Sequence, residues 1–179
     1  MQLKTGDAVV HWAYGLGKIV AVQRRALAGE KTLYYVVQIQ DITVWVPVDE
    51  KAHSRLRTPT SKRGFKKLFQ ILGEPGKSLS DDRNERKTAL HSRLAEGKAE
   101  AVCAVIRDLT TYQHKKGLND DDKQILNRAS SSLLGEWGYA FSVTTEEAER
   151  EMLQLLRHPP VRSGQSERST AQQAAWRAQ

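Results

Sequence analysis

The segment Gly6–Arg25, GDAVVHWAYGLGKIVAVQRR, decides the fold of the first third of the chain. Apolar and polar residues alternate on both sides of Tyr14-Gly-Leu-Gly17, which is the pattern of two half-buried strands joined by a turn. Glycines at positions 15 and 17 permit the positive φ and tight curvature that a turn needs. Because a strand and not a helix follows them, the segment predicts a β-hairpin and not a phosphate-binding loop.

Further short strands follow the hairpin. β-branched and aromatic residues fill Leu33–Ile39 and Ile42–Val46, and Pro47 ends the second run because it cannot donate to a ladder. Four or five such strands are too few to cover a helical layer, but they can curl into a barrel, which also removes exposed edges. We therefore predict an SH3/Tudor-like small β-barrel over residues 1–57 of an α+β protein.

The apolar period becomes helical after residue 58. Phe65, Leu68 and Leu72 predict a connecting helix, followed by a linker, within residues 58–77. A compact all-α domain is predicted over residues 78–157. Its helix starts are marked by Ser80-Asp-Asp82, Asn119-Asp-Asp-Asp122 and the capping box Thr144-x-x-Glu147. Residues 158–179 have no apolar period and predict a disordered tail.

Composition and motifs argue against several classes of protein. The single cysteine, Cys103, excludes an internal disulfide and a cysteine-based zinc site, and the five histidines form no HxH or HxxxH pair. No nucleophile elbow, Walker loop or dinucleotide fingerprint is present, so we expect no enzyme, no cofactor, no metal and no small-molecule ligand. With no apolar run near twenty residues and no signal-peptide layout, we expect a cytoplasmic protein. The net charge of +7 fits either ordinary solubility or a polyanionic partner.

Several short motifs, taken together in order and spacing, carry a resemblance to a known family. They are Lys4-x-Gly6-Asp7-x-Val-Val10, Gly15, Gly29-Glu30, Thr43-Val44-x-Val46-Pro47, Leu68-Phe-Gln-Ile-Leu72, Leu94-Ala-x-Gly97, Val105-Ile-Arg-Asp-Leu109 and Gly117-Leu118. Over residues 1–157 the chain resembles the CarD/CdnL family of bacterial transcription regulators. The resemblance implies a barrel that binds the RNA polymerase β subunit and a helical domain that contacts promoter DNA at the upstream edge of the melted region. It also implies modulation of open-complex formation and association with the nucleoid through polymerase.

The chain departs from the family where DNA contact is expected. Family members usually carry a tryptophan wedge at the start of the first helix of the C-terminal domain. Counting back from Leu94-Ala-Glu-Gly97 gives Arg83 at that position, with no aromatic residue between residues 78 and 89. Arg83 either enters a narrow minor groove by its charge or is a solvated arginine. Other DNA candidates are Arg86 and Lys87, one turn on from Arg83, and Lys115, Lys116 and Lys123, which also fit solvated helix ends.

The expected polymerase-binding positions differ in part from the family. Arg25 keeps one basic position, whereas Trp45 stands where a second basic residue is expected before the Val-Pro pair. Trp45 alternates with Val44 and Val46, so it is exposed if those valines are core, which suits a protein interface. It could equally cover the open end of the barrel, and Trp12 carries the same ambiguity.

Two other interpretations stay open at this point. The chain could be a polymerase- or protein-binding module that has lost DNA binding, or a Tudor/KOW-like RNA-binding protein. Arg107 with Asp108 is interpreted as a structural pair between helices and not as a DNA contact.

Overall fold

A computed structural model of the chain describes residues 3–27, 30–49 and 52–157. The predicted tail, Ala28 and Gly29 lie outside this range. The first part contains β1 (Ala8–His11), β2 (Gly15–Leu27), β3 (Glu30–Ile39), β4 (Ile42–Pro47), the short helix α1 (Ala52–Arg55) and β5 (Leu56–Arg57). The second part contains α2 (Lys62–Leu72), α3 (Arg83–Ala95), α4 (Ala99–Lys116), α5 (Asp120–Phe141) and α6 (Thr145–Arg157). The predicted α+β class, with a barrel-like sheet before a helical unit, is confirmed.

The N-terminal part is a curved antiparallel sheet of five strands in the order β4-β3-β2-β1-β5. It wraps a small core of its own, which consists of Leu3, Val9, Ile19, Tyr35, Val37, Ile39, Val46, Ala52 and Leu56. Neighbouring atoms of β3 lie very close to Gly17, where a Cβ atom would be 2.5 Å from Ile39 Cγ1 and 2.7 Å from the Gln38 carbonyl oxygen. A side chain at position 17 would therefore push the sheet open.

The apolar run Lys18-Ile-Val-Ala-Val22 predicts the second strand, and the observed strand is much longer. Its pairing with β3 continues to Leu27 and Glu30, through three exposed polar residues, Gln23, Arg24 and Arg25. The strand also begins earlier, because Gly15 already pairs with His11. The turn is therefore Trp12–Tyr14, and the prediction that Gly15 and Gly17 belong to the turn is wrong.

The helix starts follow the sequence signals. Ser61, Asp82 and Asn119 cap α2, α3 and α5, each accepting a hydrogen bond from a backbone N–H three residues on. The predicted capping box also forms, since Thr144 N–H donates to the Glu147 carboxylate at 2.9 Å and Glu147 N–H donates to Thr144 Oγ1 at 3.2 Å. None of the helices in the described ranges is long and apolar enough to cross a membrane.

The helices enclose a second core, larger than that of the barrel. Its fully buried side chains include Leu90, Ile106, Leu109, Leu133 and Trp137, together with the thiol of Cys103. Phe65, Leu68 and Leu72 of α2 belong to the same cluster. The helix predicted as a connector thus packs with the helical unit, while the boundaries of the predicted domains remain a prediction.

One buried carboxylate joins the two parts. Glu136 of α5 is 1% exposed and accepts two hydrogen bonds from the Arg57 guanidinium, at 2.5 and 2.6 Å, and one from Thr60 N–H at 2.6 Å. Arg57 Nε donates in addition to the Gly97 carbonyl at 2.9 Å. Arg57, in the last barrel strand, is therefore held by α5 and by the turn before α4, which fixes the barrel against the helices.

Candidate functional site

The two predicted polymerase-binding residues meet on the outer face of the barrel. Arg25 is exposed, and its guanidinium carbon lies 4.3 Å from the centroid of the half-buried Trp45 ring. The edge of the Tyr34 ring contacts the same indole, with ring centroids 6.2 Å apart. Trp45 lies on the face opposite Val46, which is 1% exposed, as the alternation predicts. This arrangement, hereafter the Arg25–Trp45 face, is a preformed cation–π pair open to a partner.

The two exposed cations of α3 share one carboxylate. Arg83 Nη2 lies 2.7 Å from Asp121 Oδ2, and Lys87 Nζ lies 3.3 Å from Asp121 Oδ1. The hydrogen bonds from Arg83 and then from Lys87 hold the pKa of Asp121 below its usual range. Side-chain exposures of 62% for Arg83 and 45% for Lys87 keep both available at the surface. These three side chains carry a net charge of +1, and the exposed carboxylates of Asp82 and Glu85 lie at the start of the same helix.

Arg86, the third DNA candidate on this helix, is not at the surface. It is 4% exposed, binds Asp122 with an Nη2–Oδ2 distance of 2.8 Å, and donates to the Ser80 carbonyl at 2.7 Å. Its guanidinium also lies over the Tyr112 ring, 4.7 Å from the centroid. The hydrogen bond to Asp122 raises the pKa of Arg86, so the charge is permanent and internally neutralised. The structure corrects the expectation that Arg86 shares the outward face of Arg83: Arg86 joins α3 to the start of α5.

The remaining predicted lysines all lie at the surface. Lys116 Nζ binds both oxygens of the Asp81 carboxylate at 2.6 Å, and Lys123 binds Asp120 at 3.3 Å. Lys115 is exposed, and no described carboxylate lies within ion-pair distance of it. Surface pairs of this kind are weak and exchange readily for other anions. These lysines can therefore still meet phosphates, although each paired one must first leave an aspartate.

A basic surface on α2 was not among the sequence-based candidates. Lys62, Arg63, Lys66 and Lys67 are all exposed, and in the described part of the chain only Lys67 has a carboxylate partner, Glu100 at 3.1 Å. Cations in the first turn of a helix oppose its dipole, and like charges four residues apart repel. The signal was present, since no acidic residue occurs between Lys51 and Gly73.

The buried titratable side chains of the two parts have structural roles. Arg107 and Asp108 form the buried pair that the sequence indicates, with Nε 2.9 Å from Oδ1. Burial raises the pKa of the Cys103 thiol, which keeps it protonated. His11 is buried, and its Nδ1 accepts a hydrogen bond from Ala13 N–H at 3.1 Å within the hairpin turn. Within the described ranges, no three His, Cys, Asp or Glu side chains are arranged to hold a metal ion.

The chain thus consists of two parts, a barrel that carries the Arg25–Trp45 face and a helical unit that carries basic surfaces. Comparison with known proteins agrees with both parts. Residues 3–58 match the family model of the CarD-like/TRCF RID domain, and residues 67–154 match that of the CarD C-terminal domain. A Bacillus subtilis (strain 168) protein named "Putative transcription factor YdeB" is 28% identical over 135 residues, which are 73% of this chain and 87% of that protein. The chain belongs to the CarD family of transcription regulators.

Proposed function

We propose that this chain binds the RNA polymerase β subunit through the Arg25–Trp45 face and holds promoter DNA against the basic side of its helical unit, thereby modulating open-complex formation. The RID domain family is known for interaction with RNA polymerase, which favours the barrel as the docking part. The observation that carries the proposal is the stacking of Arg25 on Trp45 at 4.3 Å. Arginine and tryptophan are the residue types most enriched among residues that dominate interface energies.

The rigid junction at Glu136 favours an adaptor mechanism. A barrel docked on polymerase would hold the helical unit at a fixed place beside the DNA. Tethering of this kind raises the local concentration, so that weak phosphate contacts without base reading suffice. The exposed cations available for such contacts include Arg83, Lys87 and Lys115. Such a protein would act on the nucleoid, wherever polymerase is engaged.

One observation favours a second candidate, a polymerase-binding module that has lost DNA binding. Arg83, Lys87, Lys116 and Lys123 are all paired with aspartates, and Arg86 is buried. These carboxylates, Asp81, Asp120 and Asp121, repel phosphate. The two candidates differ only in whether the helical unit adds affinity for promoter DNA.

A mobility-shift assay with polymerase, with and without promoter DNA, separates the candidates. An adaptor binds polymerase and strengthens or weakens the polymerase–promoter complex, whereas the module binds polymerase and leaves that complex unchanged. Binding to RNA without polymerase would contradict both and favour an RNA-binding protein.

The docking face is tested with Arg25→Glu in a pull-down with the β subunit. We expect a loss of affinity of at least about tenfold, as for an interface hot spot. Arg24→Glu is the matched control, because neighbouring residues of a strand point to opposite faces. Equal affinities for the two variants, with unchanged circular-dichroism spectra, would refute the assignment of this face.

A further inference from the structure

A cleft of about 230 Å³ lies where the turn between β1 and β2 meets α3 and α5. Trp12 of the turn forms one wall, while Lys87 and His91 of α3 and Gln124 and Arg128 of α5 line the rest of the rim. The floor is apolar and consists of the core residues Leu94, Val102, Ile125 and Ala129. Neither the barrel nor the helical unit contains this cleft alone, because it forms where the hairpin of the barrel packs against α3 and α5.

We propose that this cleft takes a single unpaired nucleobase of DNA, which stacks on Trp12 while its flanking phosphates meet Lys87 and Arg128. The inference rests on the proposed function, in which DNA is held against the helical unit. It assigns to that DNA surface a site for a base that is no longer in a duplex.

The size of the cleft limits the ligand to one ring system. Pockets for drug-sized ligands measure roughly 300–1,000 Å³, and this cleft is smaller. Leu94, Ile125 and Ala129 are 8%, 5% and 3% exposed, so the floor is the edge of the helical core and offers a firm apolar surface. A flat heterocycle can lie on such a floor with its polar edge toward the rim.

Trp12 supplies the stacking surface. It is 39% exposed, although tryptophan is on average one of the more buried residue types. Its inner neighbour is His11, with ring centroids 6.2 Å apart and an interplanar angle of 29°. Stacking of a base on an exposed aromatic side chain is tolerant of sequence, because every base has a π-face.

The charges of the rim suit phosphates on both sides of a base. Two cations, Lys87 and Arg128, and one carboxylate, Asp121, line the cleft. Arg83 binds the same carboxylate from outside the cleft, so these four side chains together carry a net charge of +2. Arg128 is exposed, and no carboxylate of the described residues lies within ion-pair distance of it. The Gln124 amide adds a donor and an acceptor for the edge of a base. Since a paired base is already stacked between its neighbours, only single-stranded or forked DNA offers the required ligand.

The test compares the binding of the full chain to a labelled oligothymidine strand, a forked duplex and a blunt duplex, by fluorescence anisotropy. Trp12→Ala is expected to weaken binding to the strand and the fork by about 5- to 150-fold and to leave the blunt duplex unchanged. Trp12→Phe keeps an aromatic face and should restore most of the affinity. Tyr139→Ala is the matched control, since it removes an aromatic side chain that is 56% exposed but does not line the cleft.

Three results would overturn the inference. The first is that Trp12→Ala and the parent bind the strand and the fork with equal affinity, and the second is that Trp12→Ala loses the same affinity for all three probes. The third is that Trp12→Ala binds polymerase more weakly in the absence of DNA, which would indicate that the cleft binds a protein segment. Displacement of the strand by free thymidine monophosphate would support the base site and would show that a free nucleotide can also occupy it. If the parent chain binds no probe even with polymerase present, the proposed DNA contact itself fails. A neutral Trp12→Ala in a chain that does bind DNA refutes the base site alone.

Discussion

Arg57→Met is the substitution that most directly tests the junction between barrel and helices. It leaves the Glu136 carboxylate 1% exposed with one remaining donor, Thr60 N–H at 2.6 Å. Removing one partner of a buried ion pair costs about 3–5 kcal/mol, because the other charge stays buried and uncompensated. We therefore expect the free energy of unfolding to fall by that amount.

The reverse change should cost less. In Glu136→Gln, the guanidinium of Arg57 keeps its bond to the Gly97 carbonyl, and its side chain is 21% exposed, so that water can satisfy the donors released. The loss is then that of charge-assisted hydrogen bonds, about 1.5–3 kcal/mol. The double variant Arg57→Met/Glu136→Gln should be more stable than Arg57→Met alone, because the buried group is then neutral.

Urea unfolding followed by far-ultraviolet circular dichroism at neutral pH measures all four proteins of this cycle. The midpoints are comparable only if the denaturant dependence is the same for each protein. A cost below about 1 kcal/mol for Arg57→Met, or a smaller cost than that of Glu136→Gln, would refute the reasoning. The barrel would then be held mainly by apolar contacts and not by this carboxylate.

Two further predictions concern pH and salt. Burial, and then a nearby guanidinium, lower the pKa of His11 below its ordinary value of about 6.5, so protonation favours the unfolded chain. The free energy of unfolding should be highest above that pH and should fall as the pH drops toward the lowered pKa of His11. The urea midpoints of His11→Asn should therefore depend less on pH than those of the parent. On α2, the pair Lys62→Gln/Lys66→Gln should reduce the slope of log affinity for duplex DNA against log salt by about 0.9 for each phosphate that the variant no longer neutralises. The barrel variant Lys4→Gln/Lys18→Gln serves as its control, and equal slopes for the two variants would exclude α2 from the DNA surface.

Local signals in the sequence were sufficient for most of the fold. Caps such as Asp82 and Asn119 act within three residues of their own position, so their residue types predict helix starts directly. The extension of β2 past Val22 could not be predicted in the same way. It begins with three exposed polar residues, Gln23, Arg24 and Arg25, which pair with β3. Because neither face of the strand is buried there, no apolar alternation marks it in the sequence.

The candidate site depended on contacts distant in sequence. Helical spacing places Arg86 near Arg83, but burial of Arg86 follows from Asp122, thirty-six residues further on. Likewise, no local pattern brings Trp12 to Lys87 and Arg128, because that approach follows from the packing of the hairpin on the helical unit. The Arg25–Trp45 contact was closer to prediction, since strand alternation already exposes the outer face of Trp45.

The rate at which the buried thiol of Cys103 is labelled measures how often the helical unit opens. Disulfide reagents attack the thiolate, and in the native fold this group is both 0% exposed and held protonated by its raised pKa. Labelling therefore requires α4 to separate from its neighbours, and its rate measures how often this happens in the intact protein. Because Cys103 is the single cysteine of the chain, every labelled molecule records that event and no other. Docking of the barrel on a partner would slow the labelling only if it also stabilises the helices. The labelling rate would therefore show whether binding at the barrel changes the stability of the helical unit.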